Sequence, residues 1–385
     1  MTKDAKNRSS FNLPDQFFLV LFGAFLFLVP AIWNGFPLIF TDTLSYIVSG
    51  IELIAPPDRP IFYGLFIRLT NLFISLWGGI ICQAALLSFL LIKIANKLFP
   101  KISILDLYLW LFFITAFTSA PWFVSQISPD IFSSILFLAI AFWLIVYKKA
   151  SALDSALLGL VIIISICVHS SNLLIALLTS LAIISLFLIQ KRSWLDVRKF
   201  GFLIISSIFI SIVLIVLSNI KSHYGATLNP TGKVFMLARV MEDGPGLKYL
   251  KKSCDDMRYK TCAALPMLEK ARAIEAQGDS SKDIELRNLV ASTFLWGGGL
   301  SASGGIFTVN SEAGSIIKGA IYEYPFEQFM ALMNNMGNQL ITFSVGEQLK
   351  STLNLEAMNI FFRSTFPQLN EAYIESAQTQ GRIVS

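Results

Sequence analysis

Charged residues are scarce in this chain. Asp, Glu, Lys and Arg make up 14% of the 385 residues, whereas 55% are hydrophobic, and the mean hydropathy is +0.65. Soluble globular proteins carry about 25% charged residues, so the composition excludes an ordinary soluble protein. The net charge of +5 is small and no basic patch suggests DNA or RNA as a partner. The sequence predicts an integral membrane protein that is surrounded by lipid and does not bind nucleic acid.

Cysteine and histidine are also rare, with four and two residues respectively. Cys82 and Cys167 lie inside apolar runs, whereas Cys254 and Cys262 lie close together in a polar region. A metal site would need more soft ligands nearby than His223 supplies. We therefore predict a disulfide between Cys254 and Cys262 in an oxidising compartment, and we assign no metal ligands.

Seven apolar runs approach the roughly 20 residues that a membrane-spanning helix needs. They cover residues 16–33, 79–97, 104–120, 131–147, 152–168, 173–190 and 200–218. An eighth run, 60–77, is amphipathic, with Arg68 among Tyr63 and Phe66. Counting it as a span would place two basic loops on the outer side, against the positive-inside bias. We therefore predict that it lies along the outer interface as a non-spanning helix.

This arrangement places every basic loop in the cytoplasm and every short polar loop outside. The cytoplasmic segments are 1–15, 96–103, 147–151 and 191–199, and the outer loops are 35–59, 121–130 and 168–172. We predict an all-α protein with a cytoplasmic N-terminus (1–15), a transmembrane domain (16–218) and a mainly helical extracytoplasmic domain (219–385). The outer location of the last part agrees with the predicted disulfide.

Several features of the C-terminal part are open to two interpretations. The pattern of residues 264–294 is typical of helices that are interrupted at 278–281. The pattern of residues 326–349 is typical of an amphipathic helix that is able to lie on the membrane. Arg239, Glu242 and Asp243 either face the membrane-embedded site or belong to a solvated turn, which the adjacent Gly244 and Pro245 favour. The Gly-rich run 296–305 lacks the flanking strand and helix, and the Lys, that a phosphate-binding loop needs.

The outer loops carry the ionisable residues that predict a functional site. Asp42 and Tyr46 follow the first apolar run, and Arg59 precedes Pro60. Asp130 ends the second loop and His169 lies in the third. Each of these residues also has a structural alternative. Asp42 and Asp130 could cap helices, and Tyr46 could be an interfacial anchor. His169 could make a polar contact between helices. Gathered at one membrane surface, these groups suit an amphiphilic substrate.

The order of these features resembles the GT-C superfamily of membrane glycosyltransferases. The superfamily includes dolichyl-phosphate-mannose protein mannosyltransferases and lipid A aminoarabinose transferases. The matching features are the acid Asp42 after the first span, Tyr46 four residues later, a basic residue before Pro (Arg59), an interfacial helix, and Asp130 after Pro129 at the start of a later span. The resemblance extends over approximately residues 16–190 and is carried by pattern and topology.

The resemblance implies a transferase at the outer face of a bacterial cytoplasmic membrane. It would move a sugar from a polyprenyl-phosphate carrier to a glycan, lipid or protein acceptor. Asp42 is the expected catalytic base, and Arg59 is expected to bind the carrier phosphate. Tyr46, Asp130 and His169 are expected to complete substrate binding. Some members of the superfamily need a divalent metal and others do not, so a metal cofactor stays open.

Two functions of other classes also fit parts of the sequence. One is a non-enzymatic membrane subunit that organises a cell-envelope assembly through its outer domain. The other is a transporter, which is the least favoured because the apolar runs contain few charges and show no obvious inverted repeat.

Overall fold

The computed structural model describes residues 13–70, 72–255, 259–277, 288–341, 349 and 352–383. Within these residues the chain is helical, with an isolated β-bridge between Leu38 and Gln126 and no strand. The predicted cytoplasmic N-terminus lies almost entirely outside them. The chain forms two compact units, one of residues 1–228 and 345–385 and the other of residues 229–344.

The first unit begins with apolar helices that follow the predicted runs. Its helices are α1 (Leu13–Phe27), α2 (Val29–Asn34), α3 (Thr43–Glu52), α4 (Phe62–Leu69), α5 (Trp77–Leu98), α6 (Ile104–Phe117), α7 (Ala120–Ser125), α8 (Ile131–Val146), α9 (Ala152–Val168), α10 (Ser171–Ile189) and α11 (Trp194–Lys221). The predicted run 16–33 is divided between α1 and α2. Pro30 sits in the first turn of α2, where its missing N–H is tolerated but would break a continuous helix.

Three of these helices are long and apolar enough to cross a bilayer, namely α5, α10 and α11. Four shorter apolar helices, α1, α6, α8 and α9, lie at the other predicted spans. Large side chains on these helices are exposed, including Phe113 (57%), Phe202 (74%) and Phe209 (64%). Such surfaces are unfavourable in water and favourable in lipid, so the chain is a helical membrane protein.

Serine and aspartate fix the starts of three apolar helices. Ser103 accepts the N–H of Asp106 at α6, and the Asp106 carboxylate accepts the N–H of Ser103 in return. Ser151 and Asp154 form the same reciprocal pair at α9. At α11, Ser193 accepts the N–H of Asp196. These caps satisfy N–H groups that the first turn leaves without partners.

Helices α3 and α4 are too short to cross a bilayer. The eight residues of α4 rise about 12 Å, whereas a span needs about 30 Å. The two helices pack closely through Gly50 and Gly64: a Cβ on Gly64 would lie 2.8 Å from Gly50 N and 2.7 Å from Tyr46 O. Tyr63 and Ile67 of α4 are buried, which anchors the pair on the helical bundle.

The second unit is a smaller helical domain with its own core. It contains α12 (Gly232–Glu242), α13 (Pro245–Cys254), a 3₁₀ turn (Lys260–Ala264), α14 (Leu265–Gln277), α15 (Leu289–Leu295), α16 (Gly299–Ala302), α17 (Ile306–Glu323) and α18 (Pro325–Ile341). Leu237, Phe294 and Ile316 are fully buried between α12, α15 and α17. Cys254 and Cys262 are disulfide-bonded, with Cα atoms 5.6 Å apart. The expected interruption at 278–281 lies outside the described residues.

The C-terminal segment does not belong to this second unit. The sequence predicts one extracytoplasmic domain over 219–385, whereas residues 345–385 belong to the first unit. Its helices α19 (Thr352–Thr365) and α20 (Pro367–Glu375) place Phe362 and Tyr373 against Phe36, at ring-centroid distances of 5.9 and 5.8 Å. Burial of these aromatic side chains accounts for the return of the chain to the first unit.

Candidate functional site

Arg59 is the centre of a charged cluster formed by the segment between α2 and α4. Its Nε and Nη2 donate to Oδ2 of Asp58 at 3.1 and 2.6 Å. Its Nη1 lies 2.8 Å from Oδ2 of Asp42, and its guanidinium carbon lies 5.2 Å from the ring centre of Tyr46. Three of the residues predicted for the site, Asp42, Tyr46 and Arg59, are therefore in mutual contact.

The Nη1 group of Arg59 is incompletely satisfied. It is buried and, among the described residues, makes no hydrogen bond of acceptable geometry, although it is ion-paired with Asp42 at 2.8 Å. A guanidinium has five N–H hydrogens, whereas the contacts with Asp58 and Asp42 involve three nitrogen–oxygen pairs. Arg59 therefore retains N–H hydrogens with which a ligand oxygen could pair.

Asp42 and Asp130 each precede a helix, yet neither side chain caps it. Asp42 stands at the N-cap of α3 and Asp130 at the N-cap of α8, and neither makes a side-chain capping hydrogen bond. The Asp42 side chain turns to Arg59, and that of Asp130 turns to Ser128 and His169. The alternative of simple helix capping does not account for either residue.

Asp130 is paired with His169 from the third loop. Nε2 of His169 lies 3.3 Å from Oδ1 of Asp130, and Ser128 donates to Oδ2 of Asp130 at 2.8 Å. The backbone N–H of Ser171 points at Nδ1 of His169 at 3.3 Å. Nδ1 is then an acceptor, so the neutral ring carries its proton on Nε2 and donates it to Asp130.

The charges of this cluster influence one another. Burial alone would raise the pKa of Asp130, but the hydrogen bonds from His169 and Ser128, together with the charge of Arg59, hold it below its usual value. Burial alone would lower the pKa of Arg59, but hydrogen bonding to Asp58 and the charge of Asp42 raise it. Arg59 and Asp130 are thus both ionised at neutral pH.

Tyr46 is buried as a neutral phenol. The residue is 5% exposed, which is unlike an anchor at the lipid headgroups, and it packs edge-on against Tyr63 with ring centres 5.0 Å apart. Burial raises the pKa of Tyr46 despite the opposing charge of Arg59. Tyr46 is therefore available as a hydrogen-bond donor and as a face for the Arg59 guanidinium.

Backbone pairing joins the first and second loops. Leu38 donates to Ser125 O at 2.9 Å and accepts from Ile127 N–H at 3.0 Å. Thr43 Oγ1 donates to Ile127 O at 2.9 Å. These bonds fix the start of α3, next to Asp42, relative to the segment that leads to Asp130.

Gln378 holds the other edge of the first loop. Its side-chain amide accepts from Ile39 N–H at 2.9 Å and donates to Ile39 O at 2.8 Å, and its own N–H donates to Asn34 Oδ1 at 2.7 Å. The sequence does not predict a role for this residue, because no local pattern links it to a loop 339 residues away. Gln378 is a positioning residue for the segment before Asp42.

Glu242 and Asp243 lie in the second unit and hold its helices together. Oε2 of Glu242 accepts the N–H of Ala291 in α15 at 2.8 Å, and Asp243 accepts from Gln328 and Asn335 of α18. The side chain of Asp243 is 7% exposed, so the interpretation of a solvated turn is wrong for this residue. The turn itself follows the sequence, since Gly244 has a φ of +106°.

No group of three or more His, Cys, Asp or Glu side chains in the described part of the chain is arranged to hold a metal ion. Comparison of the chain with protein-family models, curated proteins and solved structures finds no match.

Proposed function

We propose that this protein is a GT-C-like membrane glycosyltransferase that moves a sugar from a polyprenyl-phosphate carrier to an extracytoplasmic glycan, lipid or protein. In this proposal all seven apolar helices cross a bacterial cytoplasmic membrane, with the N-terminus inside and residues 229–344 outside. The observation that carries it is the convergence of ionisable side chains from three loops on one end of the bundle, where Asp42 and Asp130 do not serve as helix caps.

Asp42 is the proposed base. A third of its side chain is exposed (34%), and its contact with Arg59 uses Oδ2. The acceptor hydroxyl would transfer its proton to Asp42 as its oxygen bonds to the anomeric carbon. The bond from that carbon to the phosphate oxygen breaks, and the carrier phosphate leaves with the electron pair.

Arg59 is the proposed phosphate ligand. A guanidinium donates to two phosphate oxygens at once, and Arg59 has more N–H hydrogens than its three contacts with Asp58 and Asp42 use. Binding there would also offset charge that develops on the departing phosphate. Tyr46 supports the guanidinium from one side, while Asp130 and His169 would bind sugar or acceptor hydroxyls.

The test is binding and turnover of radiolabelled polyprenyl-phosphate sugars by the purified full chain in lipid nanodiscs. Asp42→Asn should reduce turnover about 100-fold or more, because it removes the base, and carrier binding should persist or tighten, since Arg59 loses a competing carboxylate. Arg59→Ala should weaken carrier binding by about 10- to 100-fold through loss of a charge-assisted hydrogen bond. Asp106→Asn, which alters a helix cap of α6, is the matched control and should leave both unchanged.

One observation favours a non-enzymatic subunit as a second candidate. Arg59 is already flanked by the carboxylates of Asp42 and Asp58, so the cluster is able to act as a structural ion-pair network. That function predicts no carrier binding by the folded protein across a broad panel of donors. It also predicts that Asp42→Asn destabilises the protein without any loss of a chemical activity.

A further inference from the structure

Helix α18 exposes its most apolar side chains. It contains no buried residue, and Phe326 is 73% exposed, Phe329 55%, Met336 54% and Leu340 88%. A helix at the surface of a soluble domain normally turns such residues inward. In α18 the arrangement is reversed.

The polar side of α18 attaches it to the second unit. Gln328 Nε2 donates to Asp243 Oδ2 at 2.8 Å, and Asn335 Nδ2 donates to Asp243 Oδ1 at 2.9 Å. Gln328 and Asn335 are seven residues apart and so lie on one side of the helix. Together with Ala331 they are the partly covered residues of α18, and the others are exposed. We call this side the polar seam.

Five of the exposed apolar residues lie on the opposite side of the helix. At 100° per residue, Phe326, Phe329, Met333, Met336 and Leu340 occupy one arc, roughly 150° around the helix from the polar seam. The charges next to this arc are neutralised, since Lys248 pairs with Glu327 and Lys252 with Glu323, each at 2.6 Å. The apolar arc is therefore a continuous uncharged surface.

We propose that the apolar arc of α18 inserts into the membrane surface from which α11 emerges. α11 is long and apolar enough to span a bilayer, and it ends at Lys221, whereas the second unit begins at Asn229. The seven residues between them, eight residue steps from Lys221 to Asn229, reach at most about 28 Å, so this unit is tethered to the lipid surface. The tether gives lipid a high effective concentration that a second copy or a separate partner lacks.

The composition of α18 also indicates whether insertion needs anionic lipid. Interfacial helices that need anionic lipid carry unpaired Lys or Arg on their polar face, whereas α18 contains neither residue. Insertion rests on apolar burial and is expected to be equal in phosphatidylcholine and in phosphatidylglycerol-containing bilayers. The inference does not depend on the proposed transferase activity.

The test is the depth of a nitroxide label on the full chain in nanodiscs. Met336→Cys places the label on the apolar arc, and Asn334→Cys, outside both the arc and the polar seam, is the matched control. Both are made in a chain carrying Cys82→Ser and Cys167→Ser. The label at 336 is expected to collide with dissolved oxygen and to be shielded at least tenfold from a water-soluble nickel chelate, relative to the label at 334. Leu340→Cys provides a second position on the arc.

Equal access of nickel chelate to positions 334, 336 and 340 would overturn the proposal. Shielding at 336 accompanied by spin–spin broadening between labels would overturn it as well, because the occupant would then be a second copy. A requirement for anionic lipid would show that charge, and not the apolar arc, binds the membrane. Circular dichroism of each labelled variant confirms that the helix is retained.

Discussion

Asp130 is a carboxylate whose ionisation depends on two neighbours. Burial favours its neutral form, whereas the hydrogen bonds of His169 and Ser128 favour its ionised form and lower its pKa overall. A carboxylate with a lowered pKa stabilises the folded state above the unfolded pKa of about 3.9, and this stability is lost as the pH falls through the folded pKa. The Asp130–His169 pair therefore stabilises the fold at neutral pH.

His169→Ala is expected to destabilise the protein by about 1 kcal/mol at pH 7, because it removes a charge-assisted hydrogen bond from a partly exposed carboxylate. Burial would then raise the Asp130 pKa. The deficit should therefore shrink as the pH falls below the unfolded pKa of about 3.9, and it should disappear once the pH is also below the lowered pKa that Asp130 has in the native protein. Thermal unfolding midpoints measured from about pH 2 to pH 8 test this.

Ser128→Ala is the matched control for that series, since it removes one neutral hydrogen bond from the same carboxylate. Its deficit should be smaller than that of His169→Ala. A deficit that stays constant across the pH range in His169→Ala would show that the ring acts by packing alone.

The sequence identifies which residues carry charge at the site but not which way they turn. Asp106 and Asp130 are both acids at the start of an apolar helix, yet Asp106 caps its helix and Asp130 does not. The difference lies in partners that are distant in sequence, such as His169 for Asp130. A local pattern carries no information about such partners.

At the scale of elements, the contact between α3 and α4 depends on a missing side chain. Gly64→Ala would place a Cβ 2.7 Å from Tyr46 O and 2.8 Å from Gly50 N, and backbone atoms at that distance must move. We expect a loss of about 2 kcal/mol from overpacking, together with displacement of Tyr46 from Arg59. Thermal unfolding in detergent measures the loss.

Gly337→Ala is the control for this change, because a Cβ there meets nothing within 4 Å. Ala favours a helix over Gly by about 1 kcal/mol, so the control should be neutral or stabilising. An equal effect of the two substitutions would contradict close packing between α3 and α4.

The attachment of the C-terminal helices to the first loop rests on Gln378. Gln378→Leu keeps the approximate volume but leaves Ile39 N–H, Ile39 O and Leu349 O without the partners they have in the structure. Buried groups left unpaired cost about 1 kcal/mol or more each, so we expect a total loss of about 3 kcal/mol. Hydrogen exchange should become faster over residues 36–43.

Gln380→Leu changes the same residue type at an exposed position two residues away. Its effect should stay within about 0.5 kcal/mol. Unchanged exchange of residues 36–43 in Gln378→Leu would show that the C-terminal segment does not position the loop that carries Asp42.

The helices of the first unit show which structural features periodicity and composition predict. The apolar run 152–168 predicts α9 with the same bounds, because Ser151 and Asp154 mark its start and the apolar pattern defines the rest. The association of α19 and α20 with the first unit was missed. It depends on Phe36, Phe362 and Tyr373 meeting across more than 300 residues, and no periodic pattern encodes such a contact.

At the scale of the whole molecule, the proposed topology places basic loops and the second unit on opposite sides of the membrane. Lys101 lies between α5 and α6 in a predicted cytoplasmic loop, and Ala226 follows α11 on the predicted outer side. Both residues are exposed. Introduced cysteines at these positions therefore report the two faces separately.

In a chain with Cys82→Ser and Cys167→Ser, Ala226→Cys should react with a membrane-impermeant maleimide in right-side-out vesicles, and Lys101→Cys should react only in inverted vesicles. This result requires an odd number of spans between the two positions, which the five apolar helices α6, α8, α9, α10 and α11 provide if each one crosses. Labelling of both cysteines from one side would mean that one of the helices α6, α8 and α9, which are shorter than a usual span, does not cross. The predicted positions of the basic loops would then fail together with the outer location of the disulfide, because both rest on the same count of spans.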